Sequence, residues 1–370
     1  MKLGILVTII SGFGKKGFYH SQEVGLGRNL SAKGHEVIIY KCVAAGGERN
    51  EEKLEDNLTI RYLPVRALGV HGYLRSEEIA PDLDGLLSFS DTQIFLPHIY
   101  AYCKKHGIAF VPYVGISYSF QQNLKSRVMD FLYAMTTRKI YTECTVLCKT
   151  NHAKEALLAQ GALACRVTPV GLDAEKLKTD FRSCDRLKIR QEIGYGAEER
   201  LILFVARLKP EKRPLDLIEI FHRLPAEGNY RLIVIGTGEQ RKEMDDLIEK
   251  YALADRVKII DSVNNTEIWK YYYASDYFVN LRAEEIFGMA VMEAVFYEAS
   301  VAAIQAPGPS TILEGMKGHR ICADDAEVER WLSGEKAAVS DLRESSDLLL
   351  TKFTWDSCAD AFVELAQKAK

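Results

Sequence analysis

The sequence predicts an α/β protein built from two doubly wound parallel-sheet domains in tandem. Short apolar strands alternate with amphipathic helices in each half, which is the pattern of a parallel sheet covered on both faces. At 370 residues the chain is long enough to bury two cores. Ligands of such sheets bind beyond the carboxyl ends of the strands. The two domains are therefore expected to face a central cleft.

The first half opens with the apolar stretch LGILVTII, which is too short and too β-branched for a signal peptide and predicts a buried strand. An amphipathic helix is predicted over 20–33, ending at Gly34. Further strands are predicted at HEVIIYK, LTIRYLP, GLLSFS, IAFVPYV, CTVLCK and CRVTPVG, with helices at PHIYAYCKKHG and over 121–141.

The second half repeats this alternation after a charged, irregular segment over 173–200. Strands are predicted at RLILFVARL, YRLIVIGTG, RVKIIDS, DYFVNLR and SVAAIQA. Helices are predicted between them, at PLDLIEIFHRLP, EQRKEMDDLIEKYAL, NTEIWKYYYAS and FGMAVMEAVFYEAS.

Composition and charge exclude several classes of function. A formal net charge of −3 and a pI of about 6.3 provide no global field that would attract nucleic acid. No apolar segment reaches the roughly 18–20 residues that span a bilayer. The 8 cysteines lack zinc spacing, although Cys144 and Cys148 lie four apart. Without an export signal, buried reduced thiols and a cytoplasmic location are expected.

The stretch EIFGMAVME places Glu285 just before a predicted helix and Glu293 about two turns inside it. The main-chain N–H groups of the first turn have no helical partners, so they can bind an anion or hydroxyl groups. We expect these donors to come from Ile286, Phe287, Gly288 and Met289. Gly288 would let a ligand approach the backbone closely.

Four segments between 201 and 304 resemble, in order, the nucleotide-sugar-binding domain of GT-B glycosyltransferases, and specifically the large retaining family four, also called glycosyl transferases group one. VARLKPEKRP matches the family's G-R-x-x-x-x-K segment with Arg207 and Lys212. LIVIGTGEQRKEM is similar to its strand followed by G-x-G-E, with Gly236 and Gly238. WKYYYASDYFVNL and EEIFGMAVMEAVFYEASVAAI match the next two blocks.

The resemblance implies a role for each matched residue. Arg207 and Lys212 would stabilise the departing diphosphate, so that no divalent metal is required. Glu285 would bind the 3- and 4-hydroxyls of the transferred sugar, and Glu293 the ribose hydroxyls. Arg207, Lys212 and Glu285 would then form the catalytic set.

Weaker matches extend the resemblance to most of the chain. Gly17 aligns with the first of a glycine pair that faces the donor, and LSAKGHEV, CKTNHAKEALLAQGA and FTWDSCADAF are similar to family phrases. We therefore predict four regions: a Rossmann-like, acceptor-binding domain (1–172), an interdomain connection (173–200), a Rossmann-like, nucleotide-sugar-binding domain (201–345) and a C-terminal helix returning to the first domain (346–370).

Two features invite other interpretations, and the chain departs from the family pattern at two positions. Asp82 and Asp84 in PDLDG could suggest a metal site, but a turn between Pro and Gly is the favoured interpretation. GFGKKG fits a dinucleotide fingerprint, yet the second strand ends in IIYKCV without the acidic residue that an NAD site needs. Many family members carry a histidine after the strand AFVPYVG, where this chain has Val114 or Gly115. The family's usual glycine near Ser262 is also missing.

The predicted helix over 121–141 combines apolar residues with Lys125, Arg127, Arg138 and Lys139. The favoured interpretation is a helix packed on the core with solvated cations. The alternative is a basic, apolar helix lying on an anionic membrane surface, which would give a peripheral membrane contact.

The resemblance implies a retaining, metal-independent hexosyltransferase that takes a hexose or hexosamine from a nucleotide diphosphate sugar. UDP is the expected nucleotide of the donor because it is the family's most frequent donor nucleotide. The acceptor would be a glycan, a lipid-linked molecule or a small molecule. The missing histidine keeps a second hypothesis open, a non-catalytic GT-B subunit that binds a partner enzyme or a glycan. A nucleotide-sugar epimerase is the third.

Overall fold

The computed structural model describes residues 1–10, 22–118, 124–172 and 177–369. The chain divides into two compact units. Unit 1 comprises Met1–Gly171 and Phe353–Lys370, and unit 2 comprises Leu172–Lys352. Each unit contains a sheet with its own buried apolar cluster.

Unit 1 contains a nine-stranded sheet in the described part of the chain. Its strands are β1 (Lys2–Val7), β2 (Glu36–Ala44), β3 (Asn50–Glu55), β4 (Leu58–Leu68), β5 (His71–Tyr73), β6 (Gly85–Phe89), β7 (Ala109–Val114), β8 (Thr145–Cys148) and β9 (Ala164–Val167). Their order is β3-β4-β2-β1-β6-β7-β8-β9, with β5 paired to β4. β6 and β7 are buried along their whole length, as expected for the centre of a sheet covered on both faces.

The helices of unit 1 are α1 (Gln22–Ala32), α2 (Pro97–His106), α3 (Leu124–Met135), α4 (Thr137–Ile140), α5 (Asn151–Ala159) and, from the end of the chain, α14 (Asp356–Lys368). Thr150 is the N-cap of α5, and its hydroxyl oxygen accepts a hydrogen bond from the Ala153 N–H. α2 ends at Gly107, which adopts the left-handed conformation with φ 68°.

The first sheet departs from parallel pairing at one edge. β3 and β5 both pair antiparallel with β4. β3 has the sequence NEEKLE, and none of its residues is buried, so its charge pattern gives no apolar signal. Charged residues suit an edge strand because they discourage pairing with another chain.

Unit 2 contains a six-stranded, entirely parallel sheet in the order β12-β11-β10-β13-β14-β15. Its strands are β10 (Arg200–Val205), β11 (Tyr230–Ile235), β12 (Val257–Ile260), β13 (Tyr277–Asn280), β14 (Ser300–Ile304) and β15 (Arg320–Cys322). Its helices are α6 (Arg186–Glu192), α7 (Pro214–Arg223), α8 (Arg241–Lys250), α9 (Ile268–Ala274), α10 (Met289–Phe296), α11 (Pro307–Leu313), α12 (Asp325–Ser333) and α13 (Val339–Lys352). The strand order reverses beside β10, so the edge beyond β10 and β13 is the point where doubly wound sheets bind ligands.

The predicted interdomain connection differs from the structure, because residues 177–200 form part of unit 2. Phe181 is buried against the rings of Tyr273, Phe296 and Tyr297. In α6, the buried Arg190 lies 3.4 Å from the carboxylate of Asp276, which directly precedes β13. The segment looked like a linker because its charges are visible in the sequence and their buried partner is not.

The C-terminal boundary also differs from the predicted one. Residues up to Lys352, including the whole of α13, belong to unit 2, and unit 1 resumes at Phe353. Within unit 1, Trp355 lies against Gly171 and Gly25, where a β-carbon at either glycine would come within 2.4 Å of it. These two glycines therefore make room for the indole ring.

The predicted helix over 121–141 divides at Thr136 into α3 and α4. Met129 and Leu132 of α3 pack against the core of unit 1, so the favoured core-packed interpretation holds for one face. Another face is exposed and apolar. Its residues, with exposed fractions, are Leu124 (78%), Val128 (50%), Phe131 (64%) and Met135 (50%). None of the described helices has the length and hydrophobicity that crossing a bilayer requires.

Candidate active site

Arg207 and Lys212 lie in the segment that joins β10 to α7, at the carboxyl edge of the unit 2 sheet. β10 ends at Val205, and a 3-10 helix over Pro210–Lys212 precedes α7. Arg213 adopts the left-handed conformation with φ 56°, which turns the chain into the helix. The Arg207 side chain is largely exposed, with its Nη2 atom 3.8 Å from Glu211 Oε1.

The ammonium of Lys212 forms an ion pair with Glu285, a residue from the other motif of the unit. Lys212 Nζ lies 2.5 Å from Glu285 Oε2, and the two side chains are 19% and 11% exposed. Arg282 approaches the second oxygen, with Nη1 at 3.8 Å from Oε1. Lysine has three donors, so this pairing leaves Lys212 able to bind an anion as well.

The loop that carries Glu285 is held by a close backbone approach. The N–H of Gly308, at the start of α11, donates to the carbonyl oxygen of Glu285 at 3.0 Å. A β-carbon at Gly308 would lie 2.1 Å from the carbonyl oxygen of Phe287, so only glycine fits there. In the sequence, the PGP stretch is the signal for this contact.

The helix begins later than predicted. α10 starts at Met289, and Gly288 is its N-cap in the left-handed conformation with φ 98°. Ile286 and Phe287 therefore precede the helix, and the first-turn N–H groups belong to Met289 and Ala290. The N–H groups of Val291 and Met292 already donate to the Gly288 carbonyl oxygen. The sequence-based set of donors is thus shifted towards the C-terminus, because Gly288 forms the turn rather than the first helical residue.

Gly236 and Gly238 follow β11 and lie against the segment that carries Arg207. A β-carbon at Gly236 would lie 1.8 Å from the Ala206 carbonyl oxygen, and one at Gly238 2.2 Å from that of Leu208. The N–H of Leu208 donates to the carbonyl oxygen of Thr237 at 2.8 Å. Both glycines therefore hold the two loops together at the edge of the sheet.

Glu293 lies in the second turn of α10 and is partly buried. Burial raises the pKa of its carboxyl to about 7, against an opposing interaction with the Tyr272 side chain. A carboxyl with this pKa changes its charge near neutral pH. Tyr272 belongs to α9 and was not identified from the sequence.

The remaining candidates lie in unit 1. Gly17, with the rest of GFGKKG, lies outside the described residues. Asp82 and Asp84 both bind Lys2: the Lys2 ammonium donates to Asp82 Oδ2 and the Lys2 N–H to Asp84 Oδ2, each at 2.8 Å. PDLDG begins in a turn just before β6, in keeping with the favoured interpretation, and its two carboxylates bind the first residue of β1.

The structure thus brings Lys212 and Glu285 into contact and places Arg207, Gly236 and Gly238 in adjoining loops at one sheet edge. Arg282 is a second residue, besides Tyr272, that the sequence did not identify. Its signal was a cation three residues before Glu285 in NLRAEE. Cations, backbone donors and a carboxylate at one edge can hold an anionic group beside a hydroxylated one.

Comparison with known proteins shows what this chain is similar to. The sequence model described as glycosyl transferases group 1 matches residues 185–342. An uncharacterized glycosyltransferase of Methanocaldococcus jannaschii is 24% identical over 288 residues, covering 73% of this chain and 72% of that protein. D-inositol 3-phosphate glycosyltransferase of Mycobacterium ulcerans is 24% identical over 235 residues, covering 59% of this chain and only 49% of that protein.

A solved structure superposes on this chain over its full length. The HepE protein of Anabaena, in complex with UDP and glucose, superposes with a TM-score of 0.71 at 15% identity and covers 100% of both chains. At that identity the likeness shows the fold, which is the predicted GT-B fold of two Rossmann-like domains. These findings agree with the predicted resemblance: residues 185–342 match the model of the glycosyl transferases group 1, and the chain has the GT-B fold.

Proposed function

We propose that this protein transfers a hexose or hexosamine from a UDP-sugar to an acceptor hydroxyl and retains the anomeric configuration. The observation that carries the proposal is the Lys212–Glu285 ion pair, which joins a cationic segment to a carboxylate at the carboxyl edge of the unit 2 sheet. A phosphate group can bind the ammonium while the sugar hydroxyls bind the carboxylate. One pair of residues would then hold both sides of the bond that breaks.

The diphosphate leaving group gains negative charge as the bond from C1 to its oxygen breaks. Arg207 and Lys212 would stabilise that charge, together with the first-turn N–H groups of α10. Two fixed cations can supply this stabilisation without a divalent metal. UDP release should therefore be unchanged by EDTA.

Glu285 would accept hydrogen bonds from the sugar hydroxyls and orient the ring, and Glu293 would do so for the ribose. In the retaining reaction, the bond from C1 to the acceptor oxygen forms on the face from which the diphosphate departs. The acceptor proton passes to the departing phosphate oxygen, so no protein base is needed. Support for UDP as the donor nucleotide comes from HepE, whose structure contains UDP and glucose.

The test is to incubate the protein with UDP-, GDP- and ADP-sugars and to measure free nucleotide. Slow nucleotide release supports the transferase. An altered sugar still attached to nucleotide would show an epimerase, and thermal stabilisation without turnover would show a binding subunit. Lys212→Ala should abolish release, whereas Lys242→Ala on the exposed face of α8 should leave it unchanged. Equal activity in both variants would refute the proposal.

A peripheral contact with an anionic membrane is a further part of the proposal and rests on α3. Its exposed residues Leu124, Val128, Phe131 and Met135 recur at helical spacing and form one apolar stripe. The exposed cations Arg127 and Lys139 lie near it in the chain. An apolar stripe beside cations suits a surface of anionic lipids.

Vesicle sedimentation tests this contact. The protein should sediment with vesicles rich in phosphatidylglycerol and not with pure phosphatidylcholine, and Phe131→Asp should abolish sedimentation. Leu163→Asp is the control, because Leu163 is equally exposed but lies outside α3. Equal sedimentation of both variants would exclude α3 as the contact.

A further inference from the structure

Asp91 and Lys149 form a buried ion pair at the carboxyl edge of the unit 1 sheet. Asp91 follows β6, Lys149 follows β8, and Lys149 Nζ lies 2.9 Å from Asp91 Oδ2. The side chains are 14% and 6% exposed. The Lys149 ammonium also lies 5.3 Å from the ring centres of Phe89 and Tyr113. A buried ion pair is weak evidence for stability alone, because desolvation offsets its attraction.

The other carboxylate oxygen binds the strand between them. Asp91 Oδ1 accepts the N–H of Gly115 at 2.5 Å and that of Ile116 at 3.1 Å, directly after β7. The N–H of Lys149 donates to the carbonyl oxygen of Val114 at 2.9 Å. The segment after β7 is therefore held from both neighbouring strands.

The turn that carries Asp91 is itself constrained. Thr92 has φ 49°, an uncommon conformation for a β-branched residue, and such strain persists only where the surroundings impose it. The next residue, Gln93, is buried, and its Oε1 atom accepts the hydroxyl of Thr8 from beyond the end of β1. The network thus connects the ends of four strands at one edge.

Ser117 provides an independent observation at the end of the held segment. It is 3% exposed, and its hydroxyl finds no hydrogen-bond partner among the residues that the structure describes. A buried hydroxyl without a partner carries a desolvation cost. A ligand hydroxyl would satisfy it.

We infer that Asp91 and Lys149 are positioning residues that hold residues 115–117 for recognition of a hydroxyl-bearing acceptor. The inference rests on the proposed function. The Ser117 hydroxyl would supply the polar contact, and the ion pair fixes the position of the segment that carries it.

Two charge-neutral double variants separate the ion pair from the hydrogen bonds to the loop. Asp91→Asn with Lys149→Met keeps an oxygen that accepts the two N–H groups, whereas Asp91→Ala with Lys149→Met removes it. Neither leaves an unpaired charge, and Met suits a position between two aromatic rings. The measurements are UDP binding, UDP release from UDP-glucose and transfer of glucose to glycerol as the acceptor probe.

The variant with Ala should lose UDP release and transfer to glycerol by on the order of tenfold to a hundredfold, because small misplacements have large kinetic effects. Its affinity for UDP should match that of the wild type, and the variant with Asn should keep most of its activity. Ser117→Ala should raise the KM for glycerol without lowering Tm. Ser117→Ala also serves as the test if the double variants fail to fold.

The outcomes distinguish this inference from the proposed function. Wild-type protein that neither binds UDP nor releases it from UDP-glucose would refute the proposed function, and the inference with it. Active wild-type protein whose Ser117→Ala and folded double variants all transfer glucose to glycerol with the wild-type rate and KM would refute the inference alone.

Discussion

Lys212 Nζ and Glu285 Oε2 lie 2.5 Å apart although 73 residues separate them in the sequence. The contact joins the segment after β10 to the segment after β13, which are neighbouring parallel strands. Parallel neighbours end at the same edge of a sheet, so residues that follow each strand meet there. The ion pair is thus a direct consequence of the sheet order.

The first prediction concerns this pair as a unit. Lys212→Met and Glu285→Gln should each lower UDP release from UDP-glucose by on the order of 100- to 1,000-fold, the usual effect of removing a transition-state contact. The double variant should be little worse than either, because residues that act together are not additive. The rates of UDP release in the two single variants and the double variant give the coupling energy between Lys212 and Glu285. If the loss in the double variant equals the product of the two single losses, the residues act independently.

The second prediction concerns the pH dependence set by Glu293. Burial raises the pKa of this carboxyl to about 7, above the ordinary value of 4.5, so the folded protein holds a proton that the unfolded chain has released. The resulting stability is present below about pH 4.5 and is lost as pH rises through 7. Wild-type Tm should therefore fall relative to that of Glu293→Gln between pH 5 and about 8.

Glu243→Gln is the matched control, since Glu243 lies on an exposed part of α8. Its Tm should stay parallel to that of the wild type over the same range. A constant difference between wild type and Glu293→Gln would show that Glu293 is ionised in the folded protein throughout.

The third prediction concerns the contact between the two loops of unit 2. A β-carbon at Gly238 would lie 2.2 Å from the Leu208 carbonyl oxygen, next to Arg207. Gly238→Ala should cost about 1–3 kcal/mol of unfolding free energy, as expected for overpacking, and should weaken UDP binding. Denaturant unfolding and UDP titration measure the two effects.

Gly196→Ala is the control, because a β-carbon there would have no neighbour closer than 3.8 Å. Its stability and UDP affinity should match those of the wild type. If Gly238→Ala also keeps wild-type stability and UDP affinity, the contact between the two loops contributes to neither.

Local sequence patterns were sufficient for most of the fold. The apolar runs of β10, β11 and β13 predict buried parallel strands. Gly34 and Gly107 indicate where the helices α1 and α2 have ended. β3 gave no such signal, because its residues are charged and exposed at an edge. The start of α10 was placed too early, since the sequence does not show that Gly288 turns the chain at positive φ before the helix.

The candidate site was predictable where residues form motifs and not where partners come from distant segments. Arg207, Lys212 and Glu285 could be chosen from short patterns. Asp91 and Lys149 could not, because their contact depends on β6 and β8 lying on either side of β7. The same limit applies to Arg190, whose partner Asp276 precedes a different strand.

The last prediction concerns that buried cluster, which anchors α6 within unit 2. Asp276 lies within 3.5 Å of Arg186, Arg190 and Lys336, and its Oδ2 accepts the Leu201 N–H at 2.9 Å. Asp276→Ala leaves the buried Arg190 without its carboxylate partner and should cost about 3–5 kcal/mol of unfolding free energy. Asp245→Ala, which breaks the exposed pair with Arg241, should cost about 0–1 kcal/mol.

The dependence on pH gives this prediction a second measurement. Burial alone would raise the pKa of the Asp276 carboxyl, but Arg186, Arg190 and Lys336 outweigh it and hold the pKa below its usual 3.8. The stability that these cations provide is present above pH 3.8 and is lost as pH falls through the lower folded-state pKa. The difference in stability between wild type and Asp276→Asn should therefore shrink on acidification. If it stays constant down to the acid transition, the three cations do not stabilise the ionised carboxylate.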